Sequence, residues 1–246
     1  MTENDSYGVL RTGFWFLLIA GIFLVIQSLV IGFYAGTQST GLVTPTLEQM
    51  EVIMLKLQSN GNVVAWATII SGTVCTSLIF LAVKSKKTTP VLNYLGFIKG
   101  DRSDYVKWGV VFAAVLLLSE VVSYLLGKDS APSEMMEIYH SASPKWILWL
   151  AIILVAPIFE EVFFRGFLLK GLTSSFFGVT GAIIITAASW ALIHVQYEAY
   201  YVGMIFGWGL IWGYIKHKTG SIHISIFLHM MANFIATVQT HYILFW

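Results

Sequence analysis

Charged side chains are scarce in this 246-residue sequence, at 11% of positions, where soluble domains carry about 25%. So few cannot coat a surface that faces water, and 57% of the chain is hydrophobic. Net charge is scarce as well. The formal value of +1 at pH 7 leaves no basic face able to neutralise phosphates, which sets nucleic acid aside as a partner. Cysteine is reduced to Cys75, so no intrachain disulfide can form and a thiolate-ligated metal site is excluded. Inside its apolar run Cys75 reads as a small packed hydrophobe. No repeat, low-complexity tract or linker stands out, and one domain over residues 1–246 is the simplest account.

What is abundant is long uncharged runs, several of them reaching the roughly 20 residues needed to cross hydrocarbon. They are continuous, whereas the strands of a β-barrel alternate apolar with polar residues. The expected fold class is therefore all-α, a polytopic transmembrane helical bundle of about seven spans. These are Gly13–Phe33, Val63–Val83, Tyr105–Leu126, Trp146–Leu169, Phe176–Val195, Tyr200–Ile215 and Ile222–Tyr242. The first run exceeds the apolar core of a secretory signal and ends at no small-x-small cleavage site, so it is expected to be a retained helix. Between the first two runs, Thr46–Ser59 fits a short interfacial helix or a plain loop.

Lys and Arg set the expected orientation. The connection after the second span holds Lys84, Lys86, Lys87, Lys99, Arg102 and Lys107. Together with Arg11, Lys216 and Lys218 these put nine cations on one side, against Lys56, Lys128 and Lys145 on the other. That places the N-terminus in the cytoplasm of a multi-pass protein, in the plasma membrane if the source is bacterial.

Ionisable residues within the runs carry the functional information, because each costs roughly 2.5–3.5 kcal/mol at a helix centre on insertion scales. The fourth run contains Glu160, Glu161 and Arg165 within six residues. Glu161 and Arg165 stand at i, i+4 and can pair, while Glu160 lies about 100° round the helix and can point elsewhere. The bland alternative is a helix end with interfacial charges. Ten residues of helix between Glu160 and Lys170, about 15 Å, argue against it. The fifth run ends in Trp190-Ala-Leu-Ile-His194, and the seventh holds His229 and Asn233 at i, i+4, on one helix face. Either histidine alone reads as a packing residue. With two buried carboxylates the set supplies a general base, a water-orienting group and oxyanion donors, which suits amide hydrolysis. Glu120 reads as snorkelling or pairing near the opposite surface. Gly203, Gly207, Gly209 and Gly213 read as close helix packing.

Glu160-Glu161-x-x-x-Arg165, an aromatic-x-x-x-His from Trp190 to His194, and His229-x-x-x-Asn233 resemble, in order and spacing, the three motifs of the CPBP family. That family comprises CAAX prenyl endopeptidases and bacteriocin-processing or immunity (ABI) proteins. The Gly-rich stretch Phe206–Ser221 is similar to its sixth helix. The resemblance spans Pro144 to Asn233, a protease-like core at residues 144–233, and departs at Trp190, where the family has Phe. It implies an intramembrane endopeptidase of the CAAX prenyl protease type II kind, cleaving near the cytoplasmic face. Glu160 would activate water with help from His194, His229 and Asn233 would stabilise the oxyanion, and Glu161 and Arg165 would orient the site. No cofactor is favoured. Zinc held by Glu160, His194 and His229 is an option, though Asn233 fits an oxyanion role better. The implied partners are the bilayer and a peptide or protein substrate, lipidated or not. Two other readings are a non-catalytic immunity or scaffold protein, and a proton-coupled transporter. The latter is disfavoured by the lack of an inverted repeat.

One expectation conflicts with the rest. In a straight fifth helix starting at Phe176, His194 lies about 27 Å in, beyond the depth of Glu160 and His229. Either Gly166–Gly181 stays deep before that helix begins, or Val195–Tyr200 is a buried turn lining the cavity.

Overall fold

The computed structural model describes residues 8–38, 46–86 and 89–245; Lys87 lies outside them. Among these residues all regular structure is helical. The helices are α1 (Val9–Gln38), α2 (Leu47–Gln58), α3 (Gly61–Lys84), α4 (Val91–Leu95), α5 (Arg102–Leu125) and α6 (Ser133–Ser141). There follow α7 (Lys145–Thr173), α8 (Gly178–Leu192), α9 (Ala199–Thr219) and α10 (Ile222–Phe245). The chain is an integral membrane protein built as a helical bundle. Helices stand at all seven expected spans, and five, α1, α3, α5, α7 and α10, are long and apolar enough to cross a bilayer. α8 has only 15 residues, and α9, rich in Tyr, Trp and Gly, falls short on composition. These two bury Trp190 and Trp212 against the rest of the bundle.

Local chemistry sets several helix ends. Thr46 and Gln49 close a reciprocal capping box at the start of α2, so Thr46–Ser59 resolves as the helix rather than the loop. The Asn60 side chain accepts the Asn62 and Val63 amides and starts α3, as a helix N-terminus with orphan N–H groups requires. At the end of α9, Gly220 takes φ +69°, a left-handed turn that favours glycine. Directly after it, Ser221 Oγ donates to the Ile98 carbonyl at 2.6 Å and the Ile222 amide to the Gly96 carbonyl at 2.8 Å. These bonds fix the register of α10, and with it the inward face that carries His229.

α7 is the central element and holds two π-helical stretches, Leu150–Val155 and Glu161–Leu168. In the first, the Ala156 amide bonds the Ala151 carbonyl five residues back. By the same offset the Ile152 carbonyl would need the amide of residue 157. That residue is proline, which has none. The orphaned carbonyl instead accepts from Asn233 Nδ2 at 2.7 Å, tying α10 to α7. On another face α1 grips α7 through stacked rings, Phe16 on Phe163 at 4.9 Å and Phe23 on Phe159 at 5.0 Å. Cys75 is fully buried opposite the Ile19 carbonyl, as a packed hydrophobe should be.

Candidate active site

Glu160 and Glu161 leave α7 in different directions, and the structure gives them different partners. Glu161 and Arg165 are wholly buried and pair through Oε1 and Nη1 at 3.0 Å. The same Glu161 oxygen meets His229 Nδ1 at 3.0 Å. Arg165 also donates from Nη2 to the Gly209 carbonyl at 3.4 Å, and its guanidinium lies over the rings of Trp190, at 4.6 Å, and Trp212, at 5.5 Å. Two charges removed from water are tolerated only when paired, although Glu161 Oε2 and Arg165 Nε are buried without a hydrogen-bond partner among the described residues.

Glu160 keeps 12% of its side chain exposed, and its Oε2 stands 3.8 Å from His229 Nε2. That oxygen accepts the Trp190 indole N–H at 2.5 Å. The Trp190 carbonyl in turn meets His194 Nδ1 at 2.9 Å. A carbonyl can only accept, so Nδ1 carries the proton and a neutral ring leaves Nε2 as an acceptor. The His229 ring is stacked on Trp212, with centroids 4.4 Å apart, and edge-on to Trp190 at 5.3 Å.

Of the residues expected from sequence, Glu160, Glu161, Arg165 and His229 are thus in direct contact, and His194 joins through Trp190. Asn233 sits one turn along α10 from His229, with one amide proton committed to Ile152. The conflict over depth disappears with the true helix ends. α7 continues to Thr173 and α8 starts at Gly178 rather than Phe176. Glu160 therefore lies about 20 Å from one end and Trp190 about 18 Å from the other. α8 also stops at Leu192, not Val195, so His194 belongs to the following turn. Val195 there is largely exposed, so the option of a buried turn is not the solution. His194 reaches the site because it bonds back to Trp190.

Sequence reasoning missed three contributors. Trp190, the departure in the aromatic position of its motif, gives its indole N–H to Glu160. Trp212 sits unremarked in the Gly-rich stretch. Tyr197, in the connection between α8 and α9, has its ring 6.0 Å from that of His194. Burial is the main influence pushing its phenol up to about 12, with Glu160 and Glu134 adding to the effect, so at neutral pH Tyr197 keeps its proton. The remaining polar residues have ordinary partners. Glu120 accepts from Ser130 at 2.8 Å and Gln239 at 3.1 Å. Gly209 and Gly213 pack closely on α8, whereas Gly203 and Gly207 face open space. A surface groove of about 470 Å³ between α3 and α4 contains none of the site residues.

Among the described residues no three His, Cys, Asp or Glu side chains gather as a metal site. His229 Nδ1 is engaged by Glu161, His194 Nδ1 by a carbonyl, and Glu160 Oε2 by an indole proton, which leaves Nε2 of each histidine and Oε1 of Glu160 as the atoms open to a water or a metal ion.

Fold and site together define a polytopic membrane protein with a polar cluster enclosed by four helices, α7 to α10, and one turn. The family described as Type II CAAX prenyl endopeptidase Rce1-like matches residues 142–235, which include the whole cluster. The motif-bearing segment is thus similar to that family, in keeping with the CPBP resemblance of its motifs. A curated relative, the uncharacterized protein YyaK of Bacillus subtilis (strain 168), is 26% identical over 133 residues, 50% of this chain and 43% of that protein. The chain thus matches less than half the length of that relative. No solved structure matches it.

Proposed function

We propose that this protein is an intramembrane endopeptidase that hydrolyses a peptide bond with a water activated by Glu160. The observation that carries the reading is the separation of tasks between adjacent carboxylates. Glu161 is wholly buried, and its Oε1 is held by both Arg165 and His229. Glu160 retains partial exposure and faces the same histidine without a full hydrogen bond. A carboxylate held this way is available as a general base.

Glu160 takes a proton from water as the water oxygen attacks the scissile carbonyl, and His194 holds that water through Nε2. Glu161 accepts the His229 Nδ1 proton, so His229 donates to the oxyanion through a second proton carried on Nε2, alongside the remaining Asn233 N–H. On collapse Glu160 returns its proton to the leaving amine, so no net charge is left in the site. The family description supports a substrate bearing a prenylated C-terminal motif, and the lysine-rich end of the bundle supports cleavage near the cytoplasmic face.

The test is cleavage of a fluorogenic peptide ending in farnesylated cysteine and three further residues, by purified protein in micelles. Glu160→Gln, His194→Ala and His229→Ala should each lower turnover at least 100-fold, the scale of losing a general base or an oxyanion donor. Parent-level turnover by all three would remove the reading. An inert parent that still confers a cellular phenotype with Glu160→Gln would favour a binding protein on the same scaffold.

A further inference from the structure

We propose that Trp190 is a positioning residue that aims both Glu160 and His194 at the same water, its indole N–H acting on one and its backbone carbonyl on the other. This rests on the hydrolytic reading above and extends it to a residue outside the usual motif chemistry.

The geometry is specific. The indole N–H meets Glu160 Oε2 at 2.5 Å, which leaves Oε1 as the carboxylate oxygen with its lone pairs available to a water proton. The carbonyl of the same residue takes the His194 Nδ1 proton at 2.9 Å, leaving Nε2 as an acceptor for the second proton of that water. One residue thereby selects which oxygen of the base and which nitrogen of the histidine remain free.

The indole is well held for this task. Trp190 is 2% exposed. Its ring lies against the Arg165 guanidinium at 4.6 Å and the rings of Trp212 at 4.9 Å, His229 at 5.3 Å and His194 at 5.3 Å. Phenylalanine fills most of the same volume and keeps the carbonyl, yet has no proton to give. The inference therefore separates two functions of one position: the side-chain donor acts on Glu160, while the backbone acceptor survives any substitution.

Two replacements read the donor apart from the ring. Trp190→Phe removes the donor and part of the ring. Replacing Trp190 by its benzothiophene isostere, with sulfur in place of N–H, keeps the ring and removes only the donor. Both should lower kcat on the farnesylated peptide about 10- to 100-fold, the worth of a hydrogen bond to a charged acceptor, with KM and detergent melting temperature near those of the parent. A purely structural role would instead leave the isostere at parent kcat, and that result overturns the proposal even if Trp190→Phe fails to fold. A second readout needs no activity. In a ¹H–¹⁵N spectrum the Trp190 indole signal, identified by its loss in Trp190→Phe, should move upfield in Glu160→Gln. An unmoved signal sinks the proposal. An inert parent with a moving signal sinks the hydrolytic reading and leaves the Trp190–Glu160 bond standing.

Discussion

Replacing Arg165 with methionine is the sharpest perturbation of the buried charges. The guanidinium and the Glu161 carboxylate both have no solvent-exposed side-chain surface and meet at 3.0 Å. Methionine preserves much of the volume but deletes the charge, the 3.4 Å bond to the Gly209 carbonyl and the contacts with Trp190 and Trp212. Glu161 is left without its guanidinium partner, and an uncompensated buried charge costs about 3–5 kcal/mol. The double change Glu161→Gln with Arg165→Met removes both charges and should recover most of that loss, giving a coupling energy of about 2–3 kcal/mol. Equilibrium unfolding in mixed micelles, followed by tryptophan fluorescence, measures all four corners of the cycle. Arg165→Met within about 1 kcal/mol of the parent would refute the reasoning. So would a double variant no more stable than the two single losses added together.

Two other outcomes follow from the packing and from the lysine-rich end. A Cβ at Gly209 would stand 3.0 Å from Ala187 Cβ, 3.1 Å from Ala187 Cα and 3.1 Å from Trp190. Because backbone is among these neighbours, Gly209→Ala must part α8 from α9. It should cost about 1–3 kcal/mol and lower turnover through Trp190, whereas Gly203→Ala and Gly207→Ala, facing open space, should match the parent in both assays. Lys216, past the apolar stretch of α9, donates to the Gly220 carbonyl at 2.8 Å. Burial, reinforced by Lys170, lowers its ammonium from 10.5 to about 8. Between those values the unfolded chain binds more protons than the folded one, so stability should rise with pH across that window. Lys216→Met should flatten the rise in unfolding titrations, and an unchanged slope would exclude Lys216 as its source.

The helices were legible in the sequence because hydrocarbon admits long uncharged runs and little else, and five of them are long and apolar enough to cross a bilayer. Glu160, Glu161 and Arg165 were legible because charges in such a run must find partners. Helix ends were much less so. Phe176, Phe177, Ile193 and Val195 continue the apolar run of α8 on both sides, since the residues flanking a helix here are as lipid-compatible as the helix itself. Hydropathy reports the surroundings of a side chain and is silent on whether its amide bonds four residues back. The error of a few residues at each end was enough to misplace His194 in depth.

The roles of Trp190 and Asn233 were hidden for a related reason. An indole in an apolar run reads as packing bulk, and its single donor acquires meaning only when a carboxylate from another helix arrives beside it. Asn233 reads as an oxyanion donor because it shares a face with His229. Its strongest bond, however, serves a carbonyl left vacant by Pro157 together with a one-residue slip in the hydrogen-bond offset of α7. Pro157 was visible in the sequence, but the slip is a response of the whole helix to its neighbours, so the consequence for Asn233 was not. In the proposed mechanism the same strut serves the oxyanion role of Asn233. Fixing one amide proton on Ile152 restricts where the other can point, and a donor with a restricted direction stabilises a developing charge without reorganising to do so.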